Sequence, residues 1–172
     1  MRSTPAPLLV VDACVLIDIL SVDILPRLAE LHFSPVTSDL VLEEISADQL
    51  SRLPAQAVSR KSLSKAQVRE LVRLRAEYRT ISEADLSAYI LAKDFGGILL
   101  TGDRKLRKLA ESVELQVHGT LWVLDTLVAS RALSPQRAAR SLTSMIESGS
   151  RLPRSECLRR LRAWGASGTT PF

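Results

Sequence analysis

Apolar residues along this chain fall into two alternating rhythms, short compact runs and longer stretches spaced by three and four. The compact runs "LLVV" (8–11), "ILLT" (98–101) and "LQVH" (115–118) predict strands, and "SPVTS" (34–38) is a further strand candidate. A run such as "LLVV", with no polar residue in alternation, suits a strand buried on both faces. The spaced stretches predict helices over 13–20, 23–33, 39–46, 64–79, 82–95, 103–112, 119–130, 134–148 and 152–164. Ser38 or Asp39 caps the third of these, and Gly96-Gly97 ends the helix over 82–95. The helix over 64–79 sets Val68, Leu71, Val72, Arg75 and Tyr78 along one side, and the last helix is anchored by Leu158, Leu161 and Trp164. The polar stretch 48–63 reads as loop or irregular helix, and the tail 165–172 as frayed.

Strands alternating with helices predict an α/β fold in three layers, a small parallel sheet of four or five strands flanked by helices, with extra helices at the C-terminus. The chain divides into a domain over 1–130 and a helical extension over 131–172 packed on it. Open sheets of this kind keep their ligands at the carboxyl ends of the strands.

That edge gives the first chemistry. "VVD" ends the first strand at Asp12, and "LLTGD" ends the third with Thr101 and Asp103. Each aspartate also opens a helix, so a capping role alone would account for it. Helix phase adds two acids. In "DLVLEEI", Glu44 falls in the arc of Leu40, Val41 and Ile45, while Glu43 points away. In "SEADLSAYILAKDF", Asp85 lies beside a stripe of Ala84, Ala88 and Ala92, with Glu83, Ser87 and Asp94 on the polar side. Ser82-x-x-Asp85 also matches a capping box.

Charge sharpens the picture. The chain has 23 Lys and Arg against 19 Asp and Glu, a net charge of +4, which fits a polyanionic partner. Four acids gathered in a basic chain need a reason, because two such charges about 5 Å apart repel by about 3 kcal/mol at an effective dielectric of 20. A divalent cation removes that cost, and an all-oxygen donor set favours Mg²⁺ or Mn²⁺ over Zn²⁺. Two His residues exclude a histidine-rich metal site. Cys14 and Cys157 make neither a disulfide framework nor a CxxC pair, and read as buried, reduced packing residues of a cytosolic protein. No signal peptide fits residues 1–11, and no run of 18 apolar residues offers a membrane span.

A carboxylate-bound cation suits phosphodiester hydrolysis. With two Trp, two Tyr and three Phe, the chain is poor in stacking platforms for sugars or bases, so Lys and Arg on the backbone are the expected mode of contact. Arg104, Lys105, Arg107 and Lys108 follow Asp103; Lys65, Arg69, Arg73 and Arg79 lie on the long helix; Arg151, Arg154, Arg159, Arg160 and Arg162 crowd the C-terminus. Each group also fits a merely solvated face.

The pieces "VVDACVLI", "TSDLVLEEI", "ISEADLSAYILAKDFGGILLTGDRKLRKLA" and "GTLWVLDTLV", spanning about residues 8–130, resemble PIN-domain ribonucleases, and most of all the VapC-type toxins. The resemblance implies a metal-dependent endoribonuclease, the toxin of a type II toxin–antitoxin pair. Asp12, Glu44, Asp85 and Asp103 would hold one or two Mg²⁺ or Mn²⁺ ions, with Thr101 in support. Glu43 takes the place of Glu44 if the register differs by one. The resemblance further implies RNA as substrate, 5′-phosphate and 3′-hydroxyl products, a small antitoxin partner, a homodimer and a cytoplasmic location. The alternatives are a PIN-like module that grips RNA or protein without cutting, and phosphate chemistry of another class. The latter fits poorly, since Asp12 is followed by Ala13 and Cys14 rather than by D-x-D.

Overall fold

A computed structural model describes residues 6–165, the Ala29 side chain excepted. Five parallel strands run in the order β3-β2-β1-β4-β5: β1 (Leu8–Val11), β2 (Ser34–Ser38), β3 (Ser59–Lys61), β4 (Ile98–Leu100) and β5 (Val117–His118). Leu8 is level with Ser34, Val11 with Leu100, and Leu100 with His118. The chain winds outward from β1 to β3, then returns to lay β4 on the other side of β1. The strand order therefore reverses between β1 and β4, where a crevice opens at the carboxyl edge of such sheets.

Side chains alternate across β1 and sort the core into two layers. Leu9 and Val11 face α1 (Ala13–Ser21), α8 (Thr120–Ala129), α9 (Pro135–Glu147) and α10 (Arg154–Ala163). Val10 and Leu99 face α5 (Lys65–Glu77), α6 (Glu83–Phe95) and α7 (Arg104–Ser112). The predicted three-layer α/β architecture is thus the observed one, with β1 fully covered from Leu9 to Val11. The C-terminal helices share the first core layer: Cys157, Leu161 and Trp164 of α10 and its C-cap are buried there, while Leu158 is half-buried.

Several elements differ from the sequence reading. The stretch 48–63 holds most of a short helix, α4 (Ala47–Ser51), and the edge strand β3. Ser59, Arg60 and Lys61 are all exposed, so β3 carries no apolar signal; short charged strands are how sheets blunt their edges. The helix read over 23–33 is only α2 (Leu25–Glu30), and the last strand shrinks to two residues. On α5 the buried line is Leu71 and Leu74, and Val68 and Val72 are 46% and 67% exposed. α6 ends at Gly96, which takes a left-handed φ of +60° that strains any residue with a Cβ. The frayed tail read from the sequence lies, beyond Gly165, outside the described residues.

Candidate active site

Asp12 leaves β1 and caps α1. Its backbone N–H still donates to Leu100 O (3.0 Å), as if β1 ran one residue further, while its Oδ1 accepts from Val15 N–H (2.9 Å). The residue is completely buried. Asp103 repeats the design at the end of β4: its Oδ1 accepts from Lys105 and Leu106 N–H, both at 2.8 Å, and caps α7. The capping role and a place at the edge therefore coexist at both aspartates.

Thr101 joins the two. Its hydroxyl accepts from Asp103 N–H (3.0 Å) and hydrogen-bonds to the Asp12 carboxylate. Burial pushes the Asp12 carboxyl above its ordinary range, against the lowering effect of hydrogen bonds from Thr101, Val15, Cys14 and Gly102. A buried carboxylate is costly to ionise without partners, and these donors are what hold its charge.

Asp85 approaches from α6. Ser82 Oγ accepts its N–H (3.0 Å), the Ser82 half of the capping box. Its carboxyl is half-buried, and burial together with the charges of Asp12, Asp103 and Glu44 pushes it up to about 6. Asp85 therefore feels the charge of each of the other three acids. Glu44 acts from solvent. The helix α3 (Asp39–Glu43) stops after five residues, so Glu44 is its C-cap and is exposed, as is Glu43. The inward phase expected for Glu44 does not hold, because the helix that would carry it ends first.

None of the four acids is paired with Lys or Arg among the described residues, although ion pairs are common elsewhere. Nor do any three Asp, Glu, His or Cys side chains among the described residues form a ready-made metal cage. A hard cation such as Mg²⁺ keeps several waters and takes only one or two direct protein ligands, so it needs no such cage.

Three further parts of the site escape the sequence reading. Cys14 is exposed rather than buried, yet its sulfur is tucked against the site: Sγ donates to both Asp12 oxygens (3.2 Å each) and accepts from Gly102 N–H (3.3 Å). Crowding around the sulfur and the Asp12 charge push the thiol well up. A Cβ at Gly102 would stand 3.0 Å from that sulfur, so the loop is glycine there for lack of space. Ser87, read as part of the polar side of α6, is fully buried and meets Ser38 of β2 at 2.5 Å, tying α6 to the strand that leads to α3. Its place three residues after Ala84, one turn along at the border of the small-residue stripe, was the available signal. Arg107, grouped with the surface cations, instead turns inward and donates to Val117 O (3.1 Å) and Thr101 O (3.2 Å), bracing the ends of β5 and β4.

A parallel sheet whose order reverses beside β1, with acids on the strand ends flanking that reversal, defines an α/β domain built around an acidic crevice. The chain belongs to the PIN-domain family: the sequence model of the family DUF3368, a PIN domain, matches residues 8–166, through α9 and α10. No curated protein matches the chain in sequence. The PIN domain is a nuclease-type fold, which gives the acidic crevice a hydrolytic context. Among the described residues no helix is long and apolar enough to cross a membrane.

Proposed function

We propose that this protein is a divalent-cation-dependent endoribonuclease that hydrolyses RNA phosphodiester bonds at the carboxyl edge of β1 and β4. The observation that supports the reading is that Asp12 and Asp103 follow neighbouring parallel strands at one sheet edge, and that neither they nor Asp85 and Glu44 pair with Lys or Arg among the described residues. Asp12 and Asp103 would hold Mg²⁺ or Mn²⁺ directly; Glu44 and Asp85 would complete the site or orient the attacking water. When bound, such a cation supplies Lewis-acid polarisation of the phosphodiester and neutralises charge on the leaving oxygen. Thr101 would link the Asp12 carboxylate to the Asp103 backbone through its hydroxyl. Asp85, held up to about 6 by burial and its acidic neighbours, would be drawn toward its ionised form by a bound cation and could then orient the attacking water. Arg104, Lys105 and Lys108, exposed on α7 directly after Asp103, would contact the RNA backbone.

The resemblance to VapC-type toxins extends the proposal to the toxin of a type II pair, acting in the cytoplasm as a homodimer and held by a small antitoxin. The central test is cleavage of end-labelled RNA with Mg²⁺ or Mn²⁺, suppressed by EDTA. Asp12→Asn keeps an oxygen for Val15 N–H, so the fold should persist while cleavage drops by about 10³-fold, the scale of losing a key electrostatic group. RNA that stays intact with either metal overturns the proposal and favours a PIN-like module that binds without cutting.

A further inference from the structure

On the side of α9 that meets the end of α1, Arg137, Arg140, Ser141 and Ser144 line an open cleft of about 270 Å³, with Val22 opposite. Spacings of three, four and seven put these four on one helix face. Arg137 and Arg140 are exposed, and among the described residues neither guanidinium meets an acceptor. In this they are like the exposed Arg104, Lys105 and Lys108 of α7 and unlike Arg52, Arg60, Arg73, Arg159 and Arg160, which acids hold. No carboxylate lines the cleft; Asp23 adjoins Val22 in sequence but is not part of the lining.

The chemistry selects the ligand. Two forked cations and the exposed Ser144 hydroxyl, with Ser141 buried at the cleft floor, present several donors to anionic oxygens, the pattern that recognises phosphate. Neighbouring side chains on such a face stand about 5–6 Å apart, close to the step between successive phosphates of a strand. Among the described residues Val22 is the sole apolar one in the lining, which leaves no groove of apolar anchors for an amphipathic helix.

The cleft lies along α1 from the acidic edge, toward the amino edge of the sheet, because α1 runs back antiparallel to β1. Asp12 caps the start of α1 and Val22 its end, so the two sites lie about 15 Å apart at 1.5 Å per residue. Along α1 between them, Cys14 and Ser21 are exposed and Ile17 is half-buried, which leaves a line of the helix open. Asp18 on this stretch is already engaged, its two oxygens accepting from Ser150 Oγ (2.5 Å) and Thr120 Oγ1 (2.7 Å).

We propose that this cleft is a second RNA-backbone site, which grips phosphodiester groups of a single strand a few nucleotides from the bond held at the acidic edge. The proposal takes its substrate from the nuclease reading, but its test needs no cleavage. Fluorescence anisotropy of the full chain with 5′-labelled single-stranded RNA of about 20 nucleotides, in EDTA, reads binding alone. Arg137→Glu with Arg140→Glu should weaken binding at least tenfold at low salt. The slope of log affinity against log salt should fall by about 1.4, at about 0.7 per lost phosphate contact. Arg137→Ala with Arg140→Ala should act in the same direction, with an unchanged thermal midpoint, since neither side chain supports the fold.

Unchanged affinity and slope in both double variants overturn the proposal. So does polyglutamate that displaces the RNA from the wild-type chain at equal concentration, which would make the cleft a site for acidic protein. Cleavage by the wild type with unchanged binding by the variants sinks the cleft and leaves the nuclease. Arginine-dependent binding with no cleavage in any metal does the reverse.

Discussion

Asp125 and Asp85 are both half-buried acids on helices of the same domain, and they keep opposite company. Asp125 on α8 receives Arg160 Nε at 2.9 and 3.0 Å and its Nη2 at 2.6 Å, while Glu156 takes the other arm of the same guanidinium at 2.9 Å. Asp85 has the Ser82 hydroxyl and beyond it the negative charges of Asp12, Asp103 and Glu44, with no Lys or Arg paired to it among the described residues. The chain has cations to spare, 23 against 19 acids, and places them on Asp125, Asp39, Glu70 and Glu156 rather than here. The difference separates two uses of a carboxylate. One fastens α10 to the core, and the other is left uncompensated at the crevice, a cost to stability that a structural role would not require.

Removing the fastened side should be felt as stability. Arg160 is 15% exposed at its side chain but its partner Asp125 is 42% exposed, so Arg160→Ala should destabilise the fold by about 1 kcal/mol. Urea unfolding measures this, and RNA cleavage below the transition should be unchanged. If cleavage fell with stability intact, the contrast between the two acidic regions would collapse.

The crevice side should be felt as rate. Glu44→Gln removes one of the charges sensed at Asp85, and should slow cleavage by about 10–100-fold, the usual effect of altering a supporting group at a metal site. Glu43→Gln, one residue away and equally exposed, should change the rate less than twofold. Steady-state cleavage at saturating Mn²⁺ separates the two. The opposite ranking would move the register by one residue.

That ranking was only partly legible in the sequence. Asp12 and Asp103 could be read because an apolar run that stops at an acid fixes both a strand end and a helix start, and the structure puts both caps there. Asp85 could be read because a thirteen-residue helix has a definite phase. α3 has five residues and no second turn to set its phase, so Glu44 came out exposed. β3 was invisible because an edge strand of Ser, Arg and Lys has no apolar pattern to find. Arg107 was misread with its neighbours: a guanidinium that crosses to the carbonyls of Thr101 and Val117 depends on two distant strands meeting, which no local spacing encodes. Cys14 went the same way, since its contact with Gly102 spans 88 residues of chain.

The last expected effect concerns stability without metal, and its sign is specific. Folding raises the Asp85 carboxyl from an ordinary 3.8 to about 6, so the folded state holds that proton more tightly than the unfolded chain does. Its contribution is full below about pH 4 and is lost as pH rises through about 6. Asp85→Asn removes the titration, and because solvent screens a half-buried group the gain at pH 7 should be held to about 1 kcal/mol. For a chain of this size that is a rise of about 2–4 °C in thermal midpoint in EDTA. Near pH 4 the variant and the wild type should melt together. Mg²⁺ should narrow the gap at pH 7, because only the wild type has the full set of charges for a cation to relieve. A variant that melts lower than the wild type at pH 7 in EDTA would mean that Asp85 stabilises the fold as a helix cap, and that the repulsion at the crevice is too weak to matter.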